Sequence, residues 1–115
     1  MMVNGDLNPY RIMWIFVLFD LPTYTAKQRK AYSIFHKELL KGGFTMMQYS
    51  IYKRWCGSRE RLEMIQARVV RTLPPEGKIS VLQMTDKQFG MIEHYVGYAS
   101  QKKKAPELGD QLELF

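Results

Sequence analysis

Apolar and polar positions fall into blocks along this chain, and the period changes from block to block. The longest apolar block includes Met13-Trp14-Ile15-Phe16-Val17-Leu18-Phe19, seven residues without a polar break. Its β-branched and aromatic content predicts a strand buried on both faces, starting near Tyr10 or Arg11 and running to Phe19. A buried helix can look similar over so short a run. The abrupt stop at Asp20-Leu21-Pro22 favours the strand, because a residue before proline is held extended. The period then lengthens. At about 100° per residue, Tyr24, Gln28, Ala31, Tyr32, Phe35 and Leu39 share one arc of a helix over 24–41, opened by Pro22 and Thr23 and closed by Gly42-Gly43. Lys27, Lys30, Lys37 and Lys41 gather on an adjoining arc, which reads either as a solvated flank or as a binding surface.

Two strands follow, Phe44 to Gln48 and Ser50 to Trp55, with a kink or tight junction between them. The second alternates, so Ile51, Lys53 and Trp55 share one face and Ser50, Tyr52 and Arg54 the other. Basic and aromatic residues interleaved in this way suit a phosphate backbone; the aromatics suit a core equally well. Ser58 is the expected N-cap of a second helix to Thr72, with Leu62, Ile65, Val69 and Leu73 as its apolar stripe. Pro74-Pro75 and Gly77 end it. Lys78 to Thr85 reads as a strand, Thr85 to Gln88 as a turn or short helical loop, and Met91 to Val96 as a short final strand. A leader over 1–9 and a tail over 97–115 flank the domain at 10–96. The leader's Asn4-Gly5 and Asn8-Pro9 are turn signals, so it is expected to be mobile or loosely docked.

Strand, helix, strand, strand, helix, strand is the βαββαβ order of a ferredoxin-like α+β fold, an antiparallel sheet with both helices on one face. An extra C-terminal strand and the tail are expected beyond it. Because the strands are apolar on both faces, the free sheet face calls for a cover, and a homodimer packed sheet against sheet is the simplest one.

Composition narrows the functional classes. The chain has 115 residues, a formal charge of +6 and a pI near 9.5, which suggests an anionic partner such as nucleic acid. No apolar run approaches the ~20 residues of a membrane span, and the N-terminus lacks a signal-peptide pattern. The lone Cys56 excludes an internal disulfide and fits a reducing cytoplasm. No phosphate-binding glycine loop, zinc motif or Ser-His-Asp grouping is present, and the aromatic signature of RNA-recognition motifs is missing. His36 and His94 lie far apart in sequence. Asp20 is therefore the residue of chemical interest: the first charge after the apolar run, set rigidly where a central strand leaves the core. It suits a metal ligand or general base there, or simply a turn or helix cap.

Four segments extend this picture. Phe19-Asp20-Leu21-Pro22, Gly43-Phe44 leading to Gln48-Tyr49-Ser50-Ile51-Tyr52, Leu73-Pro74-Pro75-Glu76-Gly77, and Thr85-Asp86-Lys87-Gln88-Phe89 occur in this order. Together they closely resemble CRISPR-associated protein two, in the form found with type II systems, over about Tyr10 to Val96. The resemblance implies a homodimer acting in CRISPR adaptation with the pathway's integrase, CRISPR-associated protein one. It also implies metal-dependent endonuclease activity on RNA or double-stranded DNA, with Asp20 as catalytic residue and Mg²⁺ ligand. Many members carry Tyr before this aspartate; Phe19 stands here, so that hydroxyl has no role.

Two readings follow. In the first, Asp20 from both protomers holds one Mg²⁺. In the second, the dimer is a scaffold in antiviral defence that bridges integrase subunits and presents Lys27, Arg29, Lys30, Lys53 and Arg54 to double-stranded DNA. The shortage of further acids near Asp20 favours the scaffold. Ribonuclease toxins of the same fold are a more distant class. Leu112, Leu114 and Phe115 in the alternating tail are expected to add a strand to another sheet edge, with the integrase as the implied acceptor.

Overall fold

The computed structural model describes residues 8–98. Its elements are β1 (Met13–Asp20), α1 (Ala26–Lys41), β2 (Thr45–Gln48), β3 (Ile51–Trp55), α2 (Arg59–Arg71), β4 (Lys78–Thr85) and α3 (Asp86–Phe89). The four strands form one sheet in the order β2-β3-β1-β4, with every neighbouring pair antiparallel. This is the ferredoxin-like α+β arrangement expected from the order of elements.

Strand β1 is the centre of the sheet, and its two faces have different fates. Met13, Ile15, Val17 and Phe19 point to the helices and join Phe35 and Leu39 of α1, Leu62 and Val69 of α2, and Tyr52 of β3 in the core. Tyr52 is fully buried, stacks on Phe19 with ring centroids 5.6 Å apart, and shares a 2.5 Å hydrogen bond with His36 Nδ1. Trp14, Phe16, Leu18 and Asp20 point the other way. Directly opposite residues in an antiparallel ladder share a face. The register therefore adds Ile51, Lys53 and Trp55 from β3, and Met84, Leu82, Ser80 and Lys78 from β4, to that second face.

Local chemistry sets the element ends. Thr25, not Pro22 or Thr23, opens α1: its hydroxyl accepts from the Gln28 amide while Gln28 Oε1 accepts from the Thr25 amide, a reciprocal cap. Tyr24, placed by periodicity on the core arc, precedes this cap and is exposed. Ser58 caps α2 as expected. Strand β1 starts later than Tyr10, because the chain over Asn8 to Arg11 turns back on itself, with Arg11 N–H donating to the Asn8 carbonyl.

The expected strand from Met91 to Val96 is absent. Thr85 and Gln88 form a second reciprocal cap that starts α3, and residues 92–97 then run without regular structure. The physical reason is that a strand needs an adjacent edge for its backbone groups. Here α3 turns the chain away from β4 and lays Phe89 over Trp14, rings parallel and 3.8 Å apart. The leader up to residue 7 and the tail from residue 99, with Leu112, Leu114 and Phe115, lie outside the described residues.

Candidate functional site

Asp20 ends β1 on the face away from the helices, and it is exposed. Three other segments meet it. The β2–β3 turn approaches from one side, where Phe19 N–H donates to the Ser50 carbonyl at 3.1 Å. Ser50 has a φ of 64°, unusual for a residue with a side chain, and this sharp reversal brings Tyr49 and Ser50 beside the strand end. From the other side comes the start of β4, with Lys78 paired directly with Asp20 and Ser80 with Leu18. Asp20, Tyr49, Ser50, Lys78 and Ser80 line one shallow concavity of about 380 Å³ together with Leu18, Phe19 and Ile51. Tyr32, behind it on α1, has its hydroxyl pKa raised, chiefly by burial and then by hydrogen bonding to Tyr49.

The donor set is sparse. Among the described residues no group of three or more His, Cys, Asp or Glu side chains is placed to hold a metal ion. One hard carboxylate, exposed and outside the ion pairs found among the described residues, suits Mg²⁺ only as part of a water-rich shell, which needs a further oxygen ligand. Because Asp20 sits on the uncovered sheet face, a second copy packed on that face can bring its own Asp20 to the same place. Two such carboxylates brought together would fit one Mg²⁺, where a single one does not.

The cations singled out in sequence do not form one patch. Lys27 and Lys30 are exposed on α1. Arg29 donates to the Thr23 and Tyr24 carbonyls at 3.1 Å each, tying down the loop after β1. Lys53 lies on the same sheet face as Asp20, 5.9 Å from the Trp14 ring centroid and 3.2 Å from the Thr45 hydroxyl. Arg54 faces the helix side, where its guanidinium donates to the Gly42 and Trp55 carbonyls at 2.7 Å. Sequence reasoning passed over Tyr49, Ser50, Lys78 and Ser80. The signal for Lys78 was its place at the start of the last strand, which this fold lays antiparallel beside the end of the first.

The apolar part of this face is half covered. Phe89 shields Trp14, whose indole N–H donates to the Asp86 carboxylate at 2.7 Å, and approaches Phe16. Trp55 and Leu82 remain about half exposed, at 51% and 48%. That leaves apolar surface on the same sheet face as Asp20 for another protein to cover, with Trp55 at the far end of β1, opposite Trp14.

Fold and site together define a class: a ferredoxin-like α+β protein with one carboxylate at the end of its central strand, on the sheet face opposite α1 and α2. Within that class the chain belongs to a known family, described as CRISPR associated protein Cas2, whose profile matches residues 13–92. It is 52% identical over 109 residues to the CRISPR-associated endoribonuclease Cas2 of Flavobacterium psychrophilum, covering 95% of this chain and 93% of that one. The protein of the same name from Parvibaculum lavamentivorans is 49% identical over 90% of this chain and all of its own length. That from Paracidovorax avenae is 41% identical over 95% of this chain and 99% of its own. Among the described residues no helix is long and apolar enough to cross a membrane.

Proposed function

We propose that the protein is a metal-dependent endoribonuclease of a CRISPR system, whose site forms when two copies pack through their free sheet faces. The observation that carries this reading is the position of Asp20: an exposed carboxylate on the uncovered face, at a rigid strand end, with no metal-binding cluster of acids around it among the described residues. The names of the relatives support RNA as substrate. Asp20 from each protomer would hold Mg²⁺, which supplies Lewis-acid activation of water and charge neutralisation at the phosphate. The chain's own residues do the rest. Strand β1 holds the carboxylate still, the Tyr49-Ser50 turn and Ser80 offer hydroxyls to phosphate oxygens, and the apolar surface around Leu82 and Trp55 holds the two copies together.

A second reading has its own support. Lys27, Lys30 and Lys53 are side chains through which a dimer binds double-stranded DNA phosphates while bridging integrase subunits during spacer acquisition, and only Lys53 shares a face with Asp20. The two readings part at Asp20→Asn. The nuclease reading expects Mg²⁺-dependent cleavage of a short RNA to vanish with fold and dimer unchanged. The scaffold reading expects spacer acquisition in cells to survive the same change. Wild-type protein that never cleaves, measured with and without Mg²⁺, refutes the first; loss of acquisition in an intact Asp20→Asn dimer refutes the second.

A further inference from the structure

We propose that Lys78 is the phosphate-holding residue of the Asp20 site, gripping an oxygen of the RNA phosphodiester beside the carboxylate; this rests on the reading that Asp20 marks the nucleic-acid site. The β1–β4 register sets Lys78 directly across from Asp20. Such neighbours have Cβ atoms about 5 Å apart and stand on the same face. Both side chains are exposed and both line the one concavity. Neither takes part in the ion pairs found among the described residues, which join Glu38 to Lys41 and to Arg68. The two side chains are therefore neighbours on one face without being joined in an ion pair.

The placement is enforced by the preceding residue. Gly77 has a φ of 100°, and a Cβ there would stand 2.9 Å from the Asp20 carbonyl oxygen and 2.5 Å from Leu21 Cδ2. The absence of a side chain lets β4 begin hard against the end of β1, which fixes Lys78 at Asp20 and not one residue further on. Electrostatics gives the lysine its task. A site assembled from two carboxylates repels a polyanion, and one lysine from each copy offsets that repulsion at the point where the phosphate must sit. Lysine serves there as a compact point charge with three rotatable donors. Ser50 and Ser80 flank it in the same concavity as hydroxyl donors.

The test uses the full-length protein and a short fluorescent single-stranded RNA. Binding is followed by anisotropy across a salt series in EDTA, so that no cleavage intervenes. Removing one lysine–phosphate pairing should weaken binding about three- to tenfold and lower the log–log salt slope by about 0.7 for each phosphate no longer neutralised. Lys78→Met is expected to show both effects, and Lys78→Arg to restore them. Lys41→Met removes the same charge at the far end of α1 and should leave the slope unchanged. With Mg²⁺, Lys78→Met should raise KM more than it lowers kcat. A Lys78→Met slope equal to that of Lys41→Met overturns the proposal, even if wild-type protein cleaves. Conversely, a lowered slope in a protein that never cleaves leaves Lys78 as the phosphate-holding residue and removes only the nuclease reading.

Discussion

Removing one oxygen atom from Tyr52 should measure how firmly the site is anchored to the core. Tyr52 is fully buried, packs on Phe19 and shares its hydroxyl with His36 Nδ1 at 2.5 Å. Phe19 is the residue before Asp20, so this ring pair holds the strand end from behind. Tyr52→Phe keeps the ring and its stacking but deletes the hydrogen bond and leaves His36 short of a partner. A lost bond of this kind costs about 1–2 kcal/mol; His36 is only half-buried and can recover part of it from water, which favours the lower figure. For a domain of this size that corresponds to a fall in Tm of roughly 4–8 °C per kcal/mol. Urea and thermal unfolding would be compared at one fixed protein concentration, because the dimer proposed above would add a concentration-dependent term. Equal or greater stability of Tyr52→Phe would refute the anchoring argument.

The same variant carries a pH signature. Burial, and secondarily the proximity of Tyr49, push the Tyr52 hydroxyl above its ordinary value of 10.0. The folded state therefore holds this proton more tightly than the unfolded chain does. The stabilising contribution is complete below pH 10 and is lost as the pH rises through the folded-state value. Wild-type stability should fall on the alkaline side more steeply than that of Tyr52→Phe, with Tyr32, raised chiefly by its own burial, accounting for part of what remains. Parallel alkaline curves for the two proteins would contradict it.

Two further substitutions probe the turns that bring β3 and β4 to the concavity, by denaturant unfolding. Ser50→Gly should stabilise by about 0.5–1 kcal/mol, since glycine tolerates the φ of 64° that costs serine strain, less the entropy that glycine adds to the unfolded chain. Gly77→Ala should destabilise by about 2–3 kcal/mol, because its methyl group meets Leu21 and the Asp20 carbonyl; a cost below about 0.5 kcal/mol would show that β4 can shift without loss.

Which parts of this were legible in the sequence follows from what a period can encode. The apolar run of β1, the stripes of α1 and α2 and the alternation of β3 each reflect one side facing a core, and burial is written into residue type. Asp20 stood out for the same reason, as the first charge after such a run. Element ends depend on a few hydrogen bonds: Thr25 with Gln28 and Thr85 with Gln88 repeat one Thr-x-x-Gln signature; overlooking it moved the start of α1, whereas Thr85 to Gln88 was legible as a turn or short helical loop, where α3 stands. The strand foreseen at Met91 failed because strand propensity says nothing about whether an edge is within reach. Lys78 and Ser50 were hidden for a different reason. Their meeting with Asp20 depends on register between strands distant in sequence, which a one-dimensional pattern does not carry.

The alternation along β1 also explains how one strand serves stability and chemistry together. Its odd-numbered residues, Met13 to Phe19, are locked among the helices, while its even-numbered residues, Trp14 to Asp20, face outward. A strand buried on only one side would need nothing apolar at Trp14, Phe16 and Leu18. Their presence means the second face is built to be covered as well. Phe89 covers only the Trp14 and Phe16 end, leaving Leu18 half-buried next to Asp20. Part of the apolar surface still in need of a cover thus borders the carboxylate, while exposed Trp55 lies at the far end of β1, across from Trp14. Any protein that buries it must bring its own groups to Asp20, and a second copy of this chain brings another Asp20 and another Lys78. In the proposed dimer, packing of the free face and assembly of the site would be one event, since a one-residue slip in β1 would turn Asp20 toward the helices and the core residues toward solvent.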